Sequence, residues 1–131
     1  MRSEGWERLL AEHIEQAYGE PFVWGEHDCV LWCGEWVMKC TGQDYISGIK
    51  GTYKTERGAA RLLRSRGFKT PESVADAYLT EIPVRLARRG DIVLHPESPT
   101  LGISSGLLSF FVTQDSLTSI STLLCPRAWK V

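Results

Sequence analysis

The dipeptide Asp28-Cys29, in the stretch PFVWGEHDCVLW (residues 21–32), combines residue types that could activate a thiol. Trp24-Gly25 is a turn signal, and aspartate is a favoured residue immediately before a helix. The first turn of a helix has unpaired backbone N–H groups and the positive end of the helix dipole, which stabilise a thiolate. A helix that begins at Cys29 should therefore lower the pKa of its thiol. The same N–H groups could bind an oxyanion.

The residues after Asp28 predict a helix in the centre of the protein. From Cys29 to Cys40 the chain reads CVLWCGEWVMKC, which is apolar on nearly every side apart from Glu35 and Lys39. A helix that is apolar most of the way round belongs in a protein interior. Gly42 can adopt the left-handed conformation that commonly ends such a helix.

The rest of the chain predicts a single α+β domain, with helices at about residues 4–80 and strands at about 84–131. Helical spacing indicates a first helix over residues 4–18, and ERGAARLLRSRG and PESVADAYL read as two shorter helices. Five segments rich in apolar and β-branched residues then predict strands: GDIVLH, TLGISSG, LLSFFVTQ, LTSISTLL and RAWKV. Asp91 is expected as a turn residue at the start of the first of these, and its carboxylate could instead orient an imidazole. Helices followed by strands are typical of segregated layers.

The composition limits the classes of function. A net charge of −1 over 131 residues gives no electrostatic case for binding nucleic acid or an anionic membrane. The basic runs RLLRSRGFK and RLARRGD read as solvated helix faces and turn edges. No apolar run is long enough for a signal peptide or a membrane span, so we expect synthesis in a cytoplasm and no membrane insertion.

The cysteines and histidines do not form a metal-binding pattern. The four cysteines include no CxxC pair, and His13, His27 and His95 are scattered. We therefore expect no metal and no other cofactor. The three cysteines other than Cys29 are expected to be small buried hydrophobic residues.

Several segments together resemble the NlpC family of papain-like cysteine peptidases. That family has a Tyr-x-Trp-Gly segment, an Asp-Cys-Ser-Gly segment at the start of the central helix, a Gly-Asp strand, and a His-Val-Gly-Ile strand that carries the catalytic base. PFVWG, DC, RRGDIVL and TLGISSG correspond here, over roughly residues 21–42 and 87–131. WGEHDC, RGDIVL, LGISSG and the terminal AW-V are similar, more closely still, to small proteins encoded in phage tail gene clusters.

The resemblance implies a papain-like NlpC-type fold, in which the Cys-bearing helix packs on a small C-terminal antiparallel β-sheet or barrel. Cys29 corresponds to the nucleophile, and Asp28 to the acid before it, at the helix start that would support the oxyanion. Phe22, however, replaces the family tyrosine, the Ser-Gly pair is missing, and Thr100 stands where the general-base histidine belongs. A threonine hydroxyl cannot accept a thiol proton near neutral pH, so the standard dyad is incomplete.

Two other histidines could supply the imidazole. PESP reads as a four-residue turn, so His95 and Thr100 would oppose each other across a hairpin with Cβ atoms about 4.5–5.5 Å apart. His95 could then act as a base displaced by one strand, or it could simply be exposed at a strand end. His27 lies two residues before Cys29, where it could act as the base, fix the turn or face solvent.

The residues leave two main functions open, with a cytosolic thiol enzyme unrelated to phages as a third. The first is a catalytically degenerate component of a phage or prophage tail tip or baseplate, located in the virion and bound to other tail proteins in several symmetric copies. Apolar residues among Leu107 to Val112 would then be covered by neighbours. The second is an active peptidase or amidase that cuts amide bonds in cell-wall peptides. Three departures at one site favour the first.

Overall fold

The computed structural model describes residues 1–131 and has an α+β fold, which confirms the predicted class. The α-helices are Trp6–Ala17 (α1), Cys29–Thr41 (α2), Glu56–Ser65 (α3) and Pro71–Tyr78 (α4). The strands are Thr80–Ile82 (β1), Ile92–Leu94 (β2), Leu101–Ser104 (β3), Leu108–Val112 (β4), Leu117–Ser121 (β5) and Ala128–Lys130 (β6). Two single-turn 3₁₀-helices, Val84–Leu86 and Thr122–Leu124, connect strands.

The six strands form one antiparallel sheet in the order β1-β6-β2-β3-β4-β5. The last strand, β6, therefore lies between β1 and β2 rather than at an edge. In the β2–β3 hairpin Leu94 pairs with Leu101, and the His95 N–H donates to the Thr100 carbonyl at 2.8 Å. The predicted opposition of His95 and Thr100 across the PESP turn is confirmed.

The first strand was not predicted, and it lies at the boundary between the predicted helical part (about 4–80) and the predicted β part (about 84–131). β1 covers only three residues, and only β6 pairs with it, with Thr80 opposite Lys130. Three residues are too few for the alternation that marks a strand in sequence. Its extended conformation depends on pairing with a strand near the other end of the chain, so no local pattern could indicate it.

Helix α2 is the central element, as its composition predicted. It packs against α1 and against the sheet, and Trp36 on α2 is fully buried. The Trp36 indole N–H donates to the Gly90 carbonyl at 2.7 Å, which joins α2 to the turn before β2. Cys33, Cys40 and Cys125 are buried and unpaired, as predicted.

Asp91 does more than start a strand, because its buried carboxylate joins both ends of the chain to the sheet. Its Oδ1 accepts from the Arg2 guanidinium at 2.9 Å and from the Val131 N–H at 3.0 Å. Its Oδ2 accepts from the Arg88 N–H at 2.8 Å, which is the predicted turn contact. Arg2 also donates to the carbonyls of Val131 and Arg89. The N-terminus is thereby held beside the C-terminus.

Replacing Asp91 with alanine should lower the free energy of unfolding by about 3 kcal/mol. The change removes a buried ion pair and leaves two backbone N–H groups without their acceptor. Urea denaturation measures the loss. Asp115, which is exposed and makes no side-chain hydrogen bond, provides the control, and its alanine variant should stay within about 0.5 kcal/mol of wild type. Equal midpoints for the two variants would contradict a stabilising role for Asp91.

Candidate functional site

Asp28 caps the start of helix α2 and is almost fully buried. Its Oδ1 accepts from the Leu31 N–H at 3.0 Å, which is the predicted helix cap. Its Oδ2 accepts from the Gly25 N–H at 3.0 Å and from the Tyr53 hydroxyl at 2.5 Å. The carboxylate therefore joins the Trp-Gly turn, the start of α2 and the loop over residues 43–54.

Tyr53 is a site residue that sequence reasoning missed. It lies in a loop of no clear period, 25 residues after Asp28, so nothing local connects the two. Burial and the hydrogen bond to Asp28 both raise the pKa of its phenol. The loop reaches this position through the Gly51 N–H, which donates to the Gly25 carbonyl at 2.7 Å. Gly25 has φ of 83°, and a Cβ there would overlap the carbonyl oxygen of Tyr53.

Cys29 is the first residue of α2, as predicted, but its thiol is not activated. Burial, and to a smaller extent the neighbouring Asp28 charge, raise the pKa of Cys29 to about 11. Backbone contacts with Leu101 and at the start of the helix act in the opposite direction and are outweighed. The prediction that the helix start lowers this pKa is therefore wrong, because removing a thiolate from water costs more than these contacts return.

A cavity of about 420 Å³ lies beside the thiol, between the start of α2, the 43–54 loop, α3 and the PESP turn. Most of the lining residues are apolar, among them Trp24 and Leu63. The polar lining residues are Asp28, Cys29, Tyr53, Glu56, Lys69, Ser98 and Thr100. Thr100, which stands at the family's base position, is thus brought to the same cavity as Cys29.

Neither of the two candidate histidines lines this cavity. His95 packs edge-on against the Phe111 ring at 4.9 Å between centroids, and its Nδ1 accepts from the Glu97 N–H at 3.0 Å. The imidazole lies beside the cluster of Val93 and Phe111, whereas Thr100 lines the cavity. Opposition to Thr100 therefore does not carry the imidazole to Cys29.

His27 is buried rather than solvent-exposed. Its Nδ1 lies 3.7 Å from a Glu20 carboxylate oxygen, and its Nε2 has no hydrogen-bond partner. The backbone of His27 pairs with Val23 in an isolated bridge, which closes the Trp-Gly turn. These contacts are those of a residue that fixes the turn.

The third histidine, His13, serves the packing of α1 on α2. The Lys39 ammonium lies 2.9 Å from its Nδ1, so the proton is on Nε2, which donates to the Trp32 carbonyl at 2.9 Å. Burial lowers the pKa of His13 to about 4. His13 is therefore neutral at physiological pH.

The chain offers no other evident reactive centre. No three His, Cys, Asp or Glu side chains converge where they could bind a metal ion. No helix has the length and apolar character needed to span a membrane.

Comparison with known proteins identifies the family of the chain. A family model described as a domain of unknown function (DUF6950) matches residues 1–131, so the chain belongs to that family. No curated protein and no solved structure matches it.

Iodoacetamide should alkylate Cys29 slowly at pH 7, because only the thiolate reacts and burial raises the pKa to about 11. The thiolate fraction grows as pH rises toward the pKa, so the rate should increase about tenfold per pH unit between pH 7 and 10. Mass spectrometry of the Cys29 peptide measures this rate, with the urea-unfolded chain as reference. A native rate that levels off below pH 8 would contradict the raised pKa.

Proposed function

We propose that this member of the DUF6950 family is a catalytically degenerate NlpC-like module that serves as a structural component of a phage or prophage tail tip or baseplate. The observation that carries the loss of catalysis is the cavity beside Cys29, whose lining includes no imidazole while burial raises the pKa of the thiol to about 11. A cysteine peptidase needs a thiolate and a base within hydrogen-bond reach.

The arrangement of the elements supports the NlpC-like fold. A helix with a cysteine at its first position packs against β3, the strand formed by the LGIS motif. β3 pairs with β2, which follows the Gly90-Asp91 motif. Thr100 precedes β3 and lines the cavity with Cys29. The segments that resemble the family thus meet at one place, as the resemblance implies.

The contacts around Cys29 support a structural use of the former catalytic residues. The Phe22 ring packs edge-on against Trp24 at 4.6 Å between centroids and has no hydroxyl to offer. The Tyr53 hydroxyl donates to Asp28, and the Asp28 carboxylate in turn accepts the Gly25 and Leu31 N–H groups. The polar groups next to the thiol therefore hold the turn, the helix and the loop together.

Exposed leucines at one end of the sheet support burial against neighbouring subunits. Leu107 is 88% exposed, Leu123 71% and Leu124 65%. The Thr122 N–H donates to the Leu107 carbonyl at 2.9 Å, which brings these three residues, the leucine patch, near one another. Within Leu107 to Val112, Leu107 and Leu108 are exposed, whereas Ser109, Phe111 and Val112 are buried.

Incubation with purified cell-wall peptidoglycan tests whether catalysis is lost. Wild type and Cys29→Ser should release the same background of peptides, because the Cys29 thiol is neutral and no imidazole lines its cavity to accept the proton. Release by wild type that disappears in Cys29→Ser would support the alternative function, an active peptidase or amidase. The partial exposure of Cys29 on the cavity is the observation that favours this alternative.

Complementation of a phage that lacks the gene tests the structural role. A copy with Cys29→Ser should restore plaque formation to the wild-type titre, because assembly needs the fold and not the thiol. A copy with Leu123→Glu should fail, because it places a charge in the leucine patch. Plaque counts and electron microscopy of the particles give the readout. Full plaque formation without the gene, or with Leu123→Glu, would refute this role.

A further inference from the structure

The cavity beside Cys29 has the size and lining of a site for a small apolar ligand. Its volume of about 420 Å³ falls within the roughly 300–1,000 Å³ typical of ligand pockets. Trp24, Ile49, Leu62 and Val112 form part of an apolar wall. The apolar side chains that helix α3 contributes to this wall are only half-buried, and no residue of α3 is fully buried.

The polar groups of the cavity are unsuited to a peptide backbone. Asp28 and Tyr53 already use their polar atoms in hydrogen bonds with each other and with backbone N–H groups. The Ser98 hydroxyl donates to the Thr100 hydroxyl oxygen at 3.0 Å. A peptide amide placed against the apolar wall would lose its hydrogen bonds to water without replacing them. A hydrocarbon chain has no hydrogen bonds to water to lose, so it can lie against the apolar wall without this cost.

The segment around α3 carries an excess of positive charge that the rest of the chain lacks. Residues 54–69 contain six lysine or arginine residues and one carboxylate, Glu56, in a chain of net charge −1. None of these six cations forms an ion pair, whereas Arg2, Arg89 and Arg127 each pair with a carboxylate. Of the six, Lys69 lines the cavity. Of the charged residues that line the cavity, Lys69 would attract an anionic group, whereas Glu56 and the buried Asp28 would repel it and so confine it to the Lys69 side.

We propose that this cavity binds a single-chain anionic amphiphile, with its alkyl chain against the Trp24 and α3 wall and its acidic head at Lys69. This proposal adds a ligand class to the proposed function, and it rests on one part of that function, namely that the cavity no longer processes peptides. Binding and peptide release have separate readouts. The failure of one proposal can therefore be distinguished from the failure of the other.

Isothermal titration calorimetry with dodecanoate below its micelle concentration tests this proposal. Dodecanoate should bind at one site per chain, while dodecyltrimethylammonium, with the same chain and the opposite charge, should bind at least about tenfold more weakly. Acetate, which has the head without the chain, should give no binding. Equal affinity for the anionic and cationic amphiphiles, or no binding of dodecanoate, would overturn the proposal.

Two substitutions separate the head contact from the general positive charge. Lys69→Met should weaken dodecanoate binding about tenfold, because a hydrogen-bonded charge pair is lost. Arg61→Met removes the same charge from an exposed residue that does not line the cavity, and should change the affinity less than about threefold. Equal effects of the two substitutions would show that no head contact exists at Lys69.

Filling the cavity and protecting the thiol test the place of the alkyl chain. Ala60→Phe puts a ring into the lining and should abolish binding, provided that circular dichroism shows a folded protein.

Independently of any variant, bound dodecanoate should slow alkylation of Cys29 at pH 9. Unchanged alkylation at saturation would overturn the proposal. Binding only to vesicles of anionic phospholipid, and not to free dodecanoate, would do so as well, since it would place the anion contact on the outer face of α3.

Discussion

The Asp28 carboxylate is the interaction on which the site depends. It accepts the Leu31 N–H, the Gly25 N–H and the Tyr53 hydroxyl, and so joins the helix start, the turn and the 43–54 loop. Hydrogen bonds to a charged group contribute about 1.5–3 kcal/mol each, and a buried carboxylate without them would be costly. The start of α2, the turn before it and the loop that walls the cavity are consequently positioned together.

Desolvation of the thiol is the larger cause of the raised pKa of Cys29, and the same carboxylate contributes to it. Cys29 is desolvated, although it remains partly exposed on the cavity, and the Asp28 charge lies next to the thiol. Both effects disfavour the thiolate, and the backbone contacts that favour it are weaker. The Asp-Cys motif is therefore compatible with either a reactive or an unreactive cysteine. Which one occurs depends on what covers the cysteine and whether an imidazole shares its cavity.

The elements that could be predicted are those with a local pattern of sufficient length. The apolar run after Cys29 predicts helix α2. Asp28 and Gly42 predict where this helix begins and ends, and the PESP turn predicts the His95–Thr100 pairing. β1 could not be predicted, because three residues show no period and their partner is β6. Tyr53 could not be assigned to the site for the same reason, since its partner lies 25 residues earlier across an irregular loop.

The sequence by itself determined the α+β class, the central helix and the position of Cys29 at its first turn, because helix caps and hydrophobic periods act over a few residues. Only the tertiary structure decided the chemical state of the site. Desolvation of the thiol, the face to which His95 points and the role of Asp91 between the two chain ends all depend on segments far apart in sequence. A pKa responds to everything within several ångströms of the atom, whatever its distance along the chain.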